Sequence, residues 1–194
     1  MIAELPPGFE LRRGWAKALC NPLSDVLVRT LPLEARTVRV FGKVHPMPRL
    51  TAWMGEAEYT YSGVRHAPAP MPEWLARLRG EVSLLALHHS TALNSVLANY
   101  YRDGSDSVAW HADDEIELGP EPTIASVSLG GGRRFSIRPR LDDGSRWHID
   151  LEHGDLLIMS GRSQADYLHA VPKTSRASAP RLNLTFRRIG VAYR

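Results

Sequence analysis

Cysteine is nearly absent from this 194-residue chain, Cys20 being the only one, so an intrachain disulfide is excluded and a reducing compartment is expected. No apolar run is long enough to cross a bilayer, and the start Met1-Ile2-Ala3-Glu4-Leu5-Pro6-Pro7 lacks a basic leader followed by an apolar stretch; membrane insertion and secretion are therefore not expected. Internal repeats are lacking. Gly130-Gly131-Gly132-Arg133 has no spaced Lys-Ser/Thr partner, which excludes a phosphate-binding loop and leaves a turn. Nor is there a strong excess of charge: 24 basic against 21 acidic side chains give +3, which permits a polyanionic partner without requiring one. The densest basic runs, Arg133, Arg134, Arg138 and Arg140, then Lys173, Arg176, Arg187 and Arg188, read most simply as solvated faces. These features suggest a monomer inside the cell, cytoplasmic in a bacterium or nuclear in a eukaryote.

The hydrophobic content, 43%, and the length suit one well-buried domain spanning residues 1–194. Residues 1–36 read as an irregular arm with a short helix over residues 24–31, capped by Ser24. A strand is expected from Thr37 to Gly42, and extended structure restarts over residues 50–53. Proline and alanine make residues 66–72 a connector. Trp74, Leu75, Leu78, Val82 and Leu85 recur at helical spacing, which predicts an amphipathic helix over 73–87. Short apolar runs then follow at 95–101, 107–111, 123–129, 133–138, 146–151, 155–160 and 181–188, punctuated by glycines, with Asp143-Gly144 as a hairpin turn. The pattern predicts a mainly β fold with flanking helices, of sandwich or barrel type.

The chemistry gathers around His111, Asp113 and His169. On a strand, side chains two apart leave the same face, so His111 and Asp113 are expected to project together. His169 would complete a set of two histidines and one carboxylate, which leaves open positions on an octahedral ion and favours non-haem Fe(II). In Arg181-Leu-Asn-Leu-Thr-Phe-Arg187, alternation puts Arg181, Asn183, Thr185 and Arg187 on one face and Leu182, Leu184 and Phe186 on the other. Guanidinium groups pair bidentately with carboxylates, so a small dicarboxylate suits the polar face. Side chains six apart on an extended strand start roughly 20 Å apart, so both arginines would have to lean together or the strand curve. Asn99 and Tyr101 form a second polar stripe able to donate to a carboxylate. A hydrolytic zinc would also accept the three donors, but it leaves both arginines without a task and lacks an evident general base.

These residues, in this order, resemble the AlkB family of Fe(II)- and 2-oxoglutarate-dependent dioxygenases. The resemblance runs through Val40-Phe41-Gly42-Lys43, Pro48-Arg49-Leu50-Thr51-Ala52-Trp53, Tyr59-Thr60-Tyr61-Ser62-Gly63, Asn94 to Gly104, Trp110-His111-Ala112-Asp113-Asp114-Glu115, Ile124 to Gly130, His153-Gly154-Asp155-Leu156-Leu157 and Pro180-Arg181. It covers nearly everything after residue 37 and is nearest the subgroup that repairs alkylated DNA, duplexes included. Departures are Tyr167 where tryptophan is common, Met54 where an aromatic is common, and the widened turn Gly130-Gly131-Gly132.

The resemblance implies a double-stranded β-helix, or jelly roll, with residues 37–66 as a nucleotide-recognition region and 95–190 as the catalytic core. It implies that Fe(II) binds His111, Asp113 and His169, with 2-oxoglutarate and O2 as cosubstrates. Arg181 and Tyr101 would hold the distal carboxylate, Arg187 and Asn99 the proximal end, with Asn183 and Thr185 as secondary contacts. The implied reaction is oxidative demethylation of N-alkylated bases such as 1-methyladenine and 3-methylcytosine in DNA, with RNA as the alternative polymer, yielding formaldehyde and succinate. Tyr61 and His111 would sandwich the flipped base, Tyr59 would offer a hydroxyl, and Asp114 would prefer a cationic base. Phe41 would enter the duplex as an apolar wedge. The plainer readings are aromatic packing for Tyr59 and Tyr61, a solvated acid for Asp114 and a core side chain for Phe41. Two rivals remain, an RNA- or protein-directed oxygenase of the same fold and a catalytically silent nucleic-acid-binding module.

Overall fold

The computed structural model describes residues 4–20, 25–40, 43–61, 64–86, 92–176 and 179–190. In chain order they form β1 (Phe9–Arg12), α1 (Asp25–Arg29), β2 (Glu34–Val40), β3 (Lys43–Gly55), β4 (Tyr59–Tyr61), β5 (Val64–His66), α2 (Glu73–Ala86), β6 (Ser95–Tyr101) and β7 (Val108–His111). Then come β8 (Ile124–Gly130), β9 (Arg133–Pro139), β10 (Trp147–Leu151), β11 (Leu156–Met159), α3 (Ser163–Asp166), β12 (Tyr167–Val171) and β13 (Arg181–Arg187).

A larger sheet runs β1-β11-β8-β13-β6-β3-β2 and a smaller one β10-β9-β12-β7, while β4 and β5 pair separately. The named strand pairs are antiparallel, and the two facing sheets make the expected jelly roll.

Alternation with a period of two explains how one large sheet serves two cores. Leu182, Leu184 and Phe186 of β13 pack with Val96 and Ala98 of β6, Val127 and Leu129 of β8, and Leu75, Leu78 and Val82 of α2. On the opposite face, Trp53, Leu157 and Met159 meet Phe135, Ile137, Ile149 and Val171 between the sheets. Each fully buried Leu, Val or Phe contributes roughly 1.5–3 kcal/mol by leaving water, so both layers hold the larger sheet in place. The 3.6-residue stripe on α2 buries Leu75, Leu78 and Val82, close to the helix expected over 73–87.

Several expectations need correction. The N-terminal arm is not wholly irregular, because β1 adds to the edge of the larger sheet, Phe9 opposite Met159. Helix α1 is shorter than expected. The break expected between residues 42 and 50 is instead continuous strand, β3 crossing Pro46 and Pro48. Proline is tolerated because β3 meets β6 only from Leu50 onward and the β2–β3 register shifts between Ala35 and Thr37, leaving few ladder bonds to lose. His66, placed in a connector, ends β5. Strand β12 and helix α3 were not foreseen. Two supposedly solvated arginines are buried: Arg133 donates to the carbonyls of Asp103, Asp106 and Pro172, and Arg187 points between the sheets. The Asp143-Gly144 turn is present, Gly144 taking φ 87°, where a side chain would be strained.

Candidate active site

The smaller sheet brings two of the three donors together. In the antiparallel pairing of β7 with β12, His111 stands opposite His169 and Val108 opposite Val171. Three residue steps on β7 therefore face two on β12, so β7 carries a bulge at Ala109–Trp110. The bulge brings the Ala109 carbonyl 2.9 Å from His111 Nδ1. A carbonyl only accepts, so Nδ1 carries the proton and Nε2 is left as the donor to a metal. The two imidazole centroids lie 4.3 Å apart, and Phe135 stacks on His169 at 5.2 Å, fixing the ring's plane.

Asp113 lies beyond the end of β7, not on its face as strand alternation implies. Its backbone N–H donates to Gln164 Oε1 at 2.9 Å. One carboxylate oxygen accepts from Arg187 Nη2 at 2.8 Å, and the other lies 3.8 Å from His111 Nε2. Donor atoms of His111, Asp113 and His169 all fall within 4.8 Å of one another, so the three reach a common ion.

The electrostatics suit that ion. Burial would raise the Asp113 pKa, but the Arg187 guanidinium, then the two imidazoles, outweigh it and hold it down to about 2. Burial, reinforced by His111, lowers His169 to about 3. Burial also lowers His111, partly opposed by Asp113. At neutral pH the set is two neutral imidazoles and a carboxylate, with no proton to shed when a divalent ion arrives. Two histidines and one carboxylate with open positions fit Fe(II).

A second group lies deeper in the same cleft, which is lined by Asn99, Tyr101, Arg181, Asn183, Thr185 and Arg187 among others. Register explains the grouping, since Arg181 pairs with Tyr101 and Asn183 with Asn99 across β13 and β6. Arg181 is 1% exposed. Its Nη2 donates to Ser128 Oγ and Asn183 Oδ1, both at 2.8 Å, and its guanidinium lies 5.2 Å from the Tyr101 ring centroid. Its Nε and Nη1 are buried without a hydrogen-bond partner. A buried cation with two idle donors calls for an anion. Asn183 passes the chain on, donating to Thr185 Oγ1 at 2.8 Å.

Arg181 and Arg187 do not lean together, as a shared clamp would require; each has its own partners, Arg187 at the triad and Arg181 with Ser128 and Asn183. Asn99 Oδ1 accepts from Arg49 Nε at 2.6 Å. Arg49, 5% exposed, has no role assigned from the sequence, and neither does Gln164; a charged residue beside the apolar Leu50–Trp53 run was the available signal for the first. Asp114 is half exposed and paired with Arg140 at 2.7 Å, and it does not line the cleft. Phe41 lies outside the described residues. Tyr59 and Tyr61 fall in β4, opposite His66 and Val64 of β5, and their side chains lie outside the described ones.

Known proteins resemble this chain in sequence and fold. The profile described as "2OG-Fe(II) oxygenase superfamily" matches residues 16–187. The chain is 48% identical over 173 residues to "Alpha-ketoglutarate-dependent dioxygenase alkB homolog 3" of Mus musculus, covering 85% of this chain and 60% of that protein. It is 40% identical over 161 residues to "DNA oxidative demethylase ALKBH2" of Homo sapiens, covering 78% and 60%. The chain thus spans less than two thirds of the length of these relatives. Among solved structures, "The structure of OsALKBH1" superposes with a TM-score of 0.57 over 95% of this chain and 100% of that one at 19% identity, a likeness of fold. Because the profile match takes in every strand from β2 to β13, the chain belongs to the 2OG-Fe(II) oxygenase superfamily and, within it, to the AlkB family.

Proposed function

We propose that this protein oxidatively demethylates N-alkylated nucleobases in DNA, with 1-methyladenine and 3-methylcytosine as substrates. The observation that carries the reading is Arg181, a fully buried guanidinium with two donors unclaimed by protein, in the same cleft as three metal donors. A dicarboxylate cosubstrate accounts for both features, whereas a hydrolytic zinc leaves Arg181 unexplained. The names of the relatives, a dioxygenase and a DNA oxidative demethylase, support the same reaction class.

His111, Asp113 and His169 would hold Fe(II), which with O2 and 2-oxoglutarate supplies an oxidation that hydroxylates the methyl carbon and leaves succinate and CO2. The remaining work is the protein's own. Arg181 binds the distal carboxylate of 2-oxoglutarate, two charge-assisted hydrogen bonds contributing about 1.5–3 kcal/mol each, and Tyr101 walls that end. Arg187 keeps Asp113 ionised and, with Asn99, orients the proximal end; Asn183 and Thr185 buttress Arg181. On the substrate side, Tyr61 and His111 sandwich the flipped base, Tyr59 offers a hydroxyl, Asp114 exchanges Arg140 for a cationic base and Phe41 fills the gap in the duplex. The hydroxymethylated base then loses formaldehyde. The buried lone Cys20 fits a reducing intracellular setting, and a monomer suffices for the site.

The test is to incubate pure protein anaerobically with Fe(II), then add O2, 2-oxoglutarate and oligonucleotides carrying either lesion, single-stranded, duplex or RNA. Stoichiometric formaldehyde and restored base on DNA are expected. Turnover confined to RNA would transfer the reading to an RNA oxygenase, and binding without formaldehyde on any arm would end it.

A further inference from the structure

The iron-ligand loop is anchored from a place outside the triad. Asp113 lies two residues past the end of β7, so no ladder partner is waiting for its backbone N–H. That N–H is satisfied by the side chain of Gln164, whose Oε1 accepts it at 2.9 Å. Gln164 is 1% exposed, and its Nε2 donates to Ser163 Oγ at 3.2 Å and leans on Met159 Sδ at 3.5 Å. An enclosed, fully engaged amide is an expensive way to fill space. An apolar side chain would pack there at lower cost but would orphan the Asp113 N–H.

Gln164 sits in α3, which leads without a loop into β12 and His169. This short helix thus grips the second ligand and runs straight into the strand that carries the third. Arg140 braces the same junction, its Nη2 reaching the Gln164 carbonyl at 3.0 Å and Asp114 Oδ2 at 2.7 Å, and its Nε the Ala165 carbonyl at 3.2 Å.

We propose that Gln164 is a positioning residue for the metal site: by holding the Asp113 backbone to α3, it sets the separation between the carboxylate and His169. It acts through Asp113 and touches neither the metal nor a substrate. The inference rests on the triad being the metal site and needs no particular substrate.

The variant Gln164→Met keeps length and packing while removing the acceptor. Titration with Co(II), a redox-stable stand-in for Fe(II), followed by its visible absorption, should show affinity reduced about 10- to 100-fold, as for other groups that orient ligands. The apo melting temperature should meanwhile fall only by the several degrees that one orphaned buried N–H costs. Parent-like Co(II) affinity in Gln164→Met would overturn the proposal. Should that variant not fold, hydrogen exchange in the parent protein decides: the Asp113 amide must exchange at least about tenfold more slowly than an exposed loop amide, as a buried bonded N–H does, and exchange at the open-loop rate refutes the anchor. A parent protein that binds no Co(II) would instead sink the triad itself, a distinct result.

Discussion

The two faces of β13 are equally buried and chemically opposite. Leu182, Leu184 and Phe186 lie under α2 at 0% exposure, while Arg181, Asn183, Thr185 and Arg187 face the cleft at 7% or less. The outer face is satisfied by shape alone, since apolar atoms need only neighbours. On the inner face each polar atom requires a directed partner, and Arg181 finds protein partners for only part of its guanidinium. One strand therefore divides by parity: odd positions present polar groups to the cleft and even positions pack.

The sharpest way to break this comparison is Arg181→Met. Losing two charge-assisted bonds should raise the KM for 2-oxoglutarate by about 10²- to 10⁴-fold. Stability should hold or rise, because replacing a buried ion with an apolar side chain is often neutral or stabilising. Steady-state kinetics with a thermal melt decides it; a large fall in melting temperature would mean that the inner face is structural. The converse is Leu184→Ala, expected to cost about 2–5 kcal/mol in urea unfolding while leaving the KM for 2-oxoglutarate within a few-fold.

A third experiment uses pH. His169 falls from its ordinary value to about 3 in the fold, so the unfolded chain binds protons that the native one refuses. Stability is complete above about pH 6.5 and should decline by roughly 1.4 kcal/mol per pH unit for this histidine as pH falls toward the native value. Asp113, lowered to about 2, adds a loss only at lower pH, as pH drops below the ordinary carboxylate range. Chemical denaturation of the apo protein between pH 7 and 4 measures the slope, and a flat profile would mean the histidine is accessible when folded. The smallest effect belongs outside the cleft. Asp114→Asn breaks a half-exposed pair with Arg140 and should change stability by less than about 1 kcal/mol, so any larger loss would make that pair part of the scaffold.

Where a pattern was local, the sequence revealed it. Strands β6, β8 and β13 alternate cleanly because one face meets α2 and the other the cleft, and α2 shows its stripe. The triad was legible as residue types in order. Strand β12 was not, although it bears His169: His169, Ala170 and Val171 are buried on consecutive positions, and α3 precedes the strand without a turn residue. Arg49 and Gln164 were beyond reach for another reason. Their partners, Asn99 and Asp113, lie 50 and 51 residues away, and a lone polar residue gives no sign of whom it meets until the sheets close.

The extra residue in β7 has a consequence for how this chain can vary. Deleting Ala109 or Trp110 would restore regular pairing with β12, Val108 staying opposite Val171 and His111 opposite His169. His111 would then keep its face but lose the bulged Ala109 carbonyl against its Nδ1, and the shortened strand would gain a smoother ladder while giving up the contact that fixes the ring's tautomer. Length variation should accordingly be tolerated in the turn between β9 and β10 and rejected at this pair of residues.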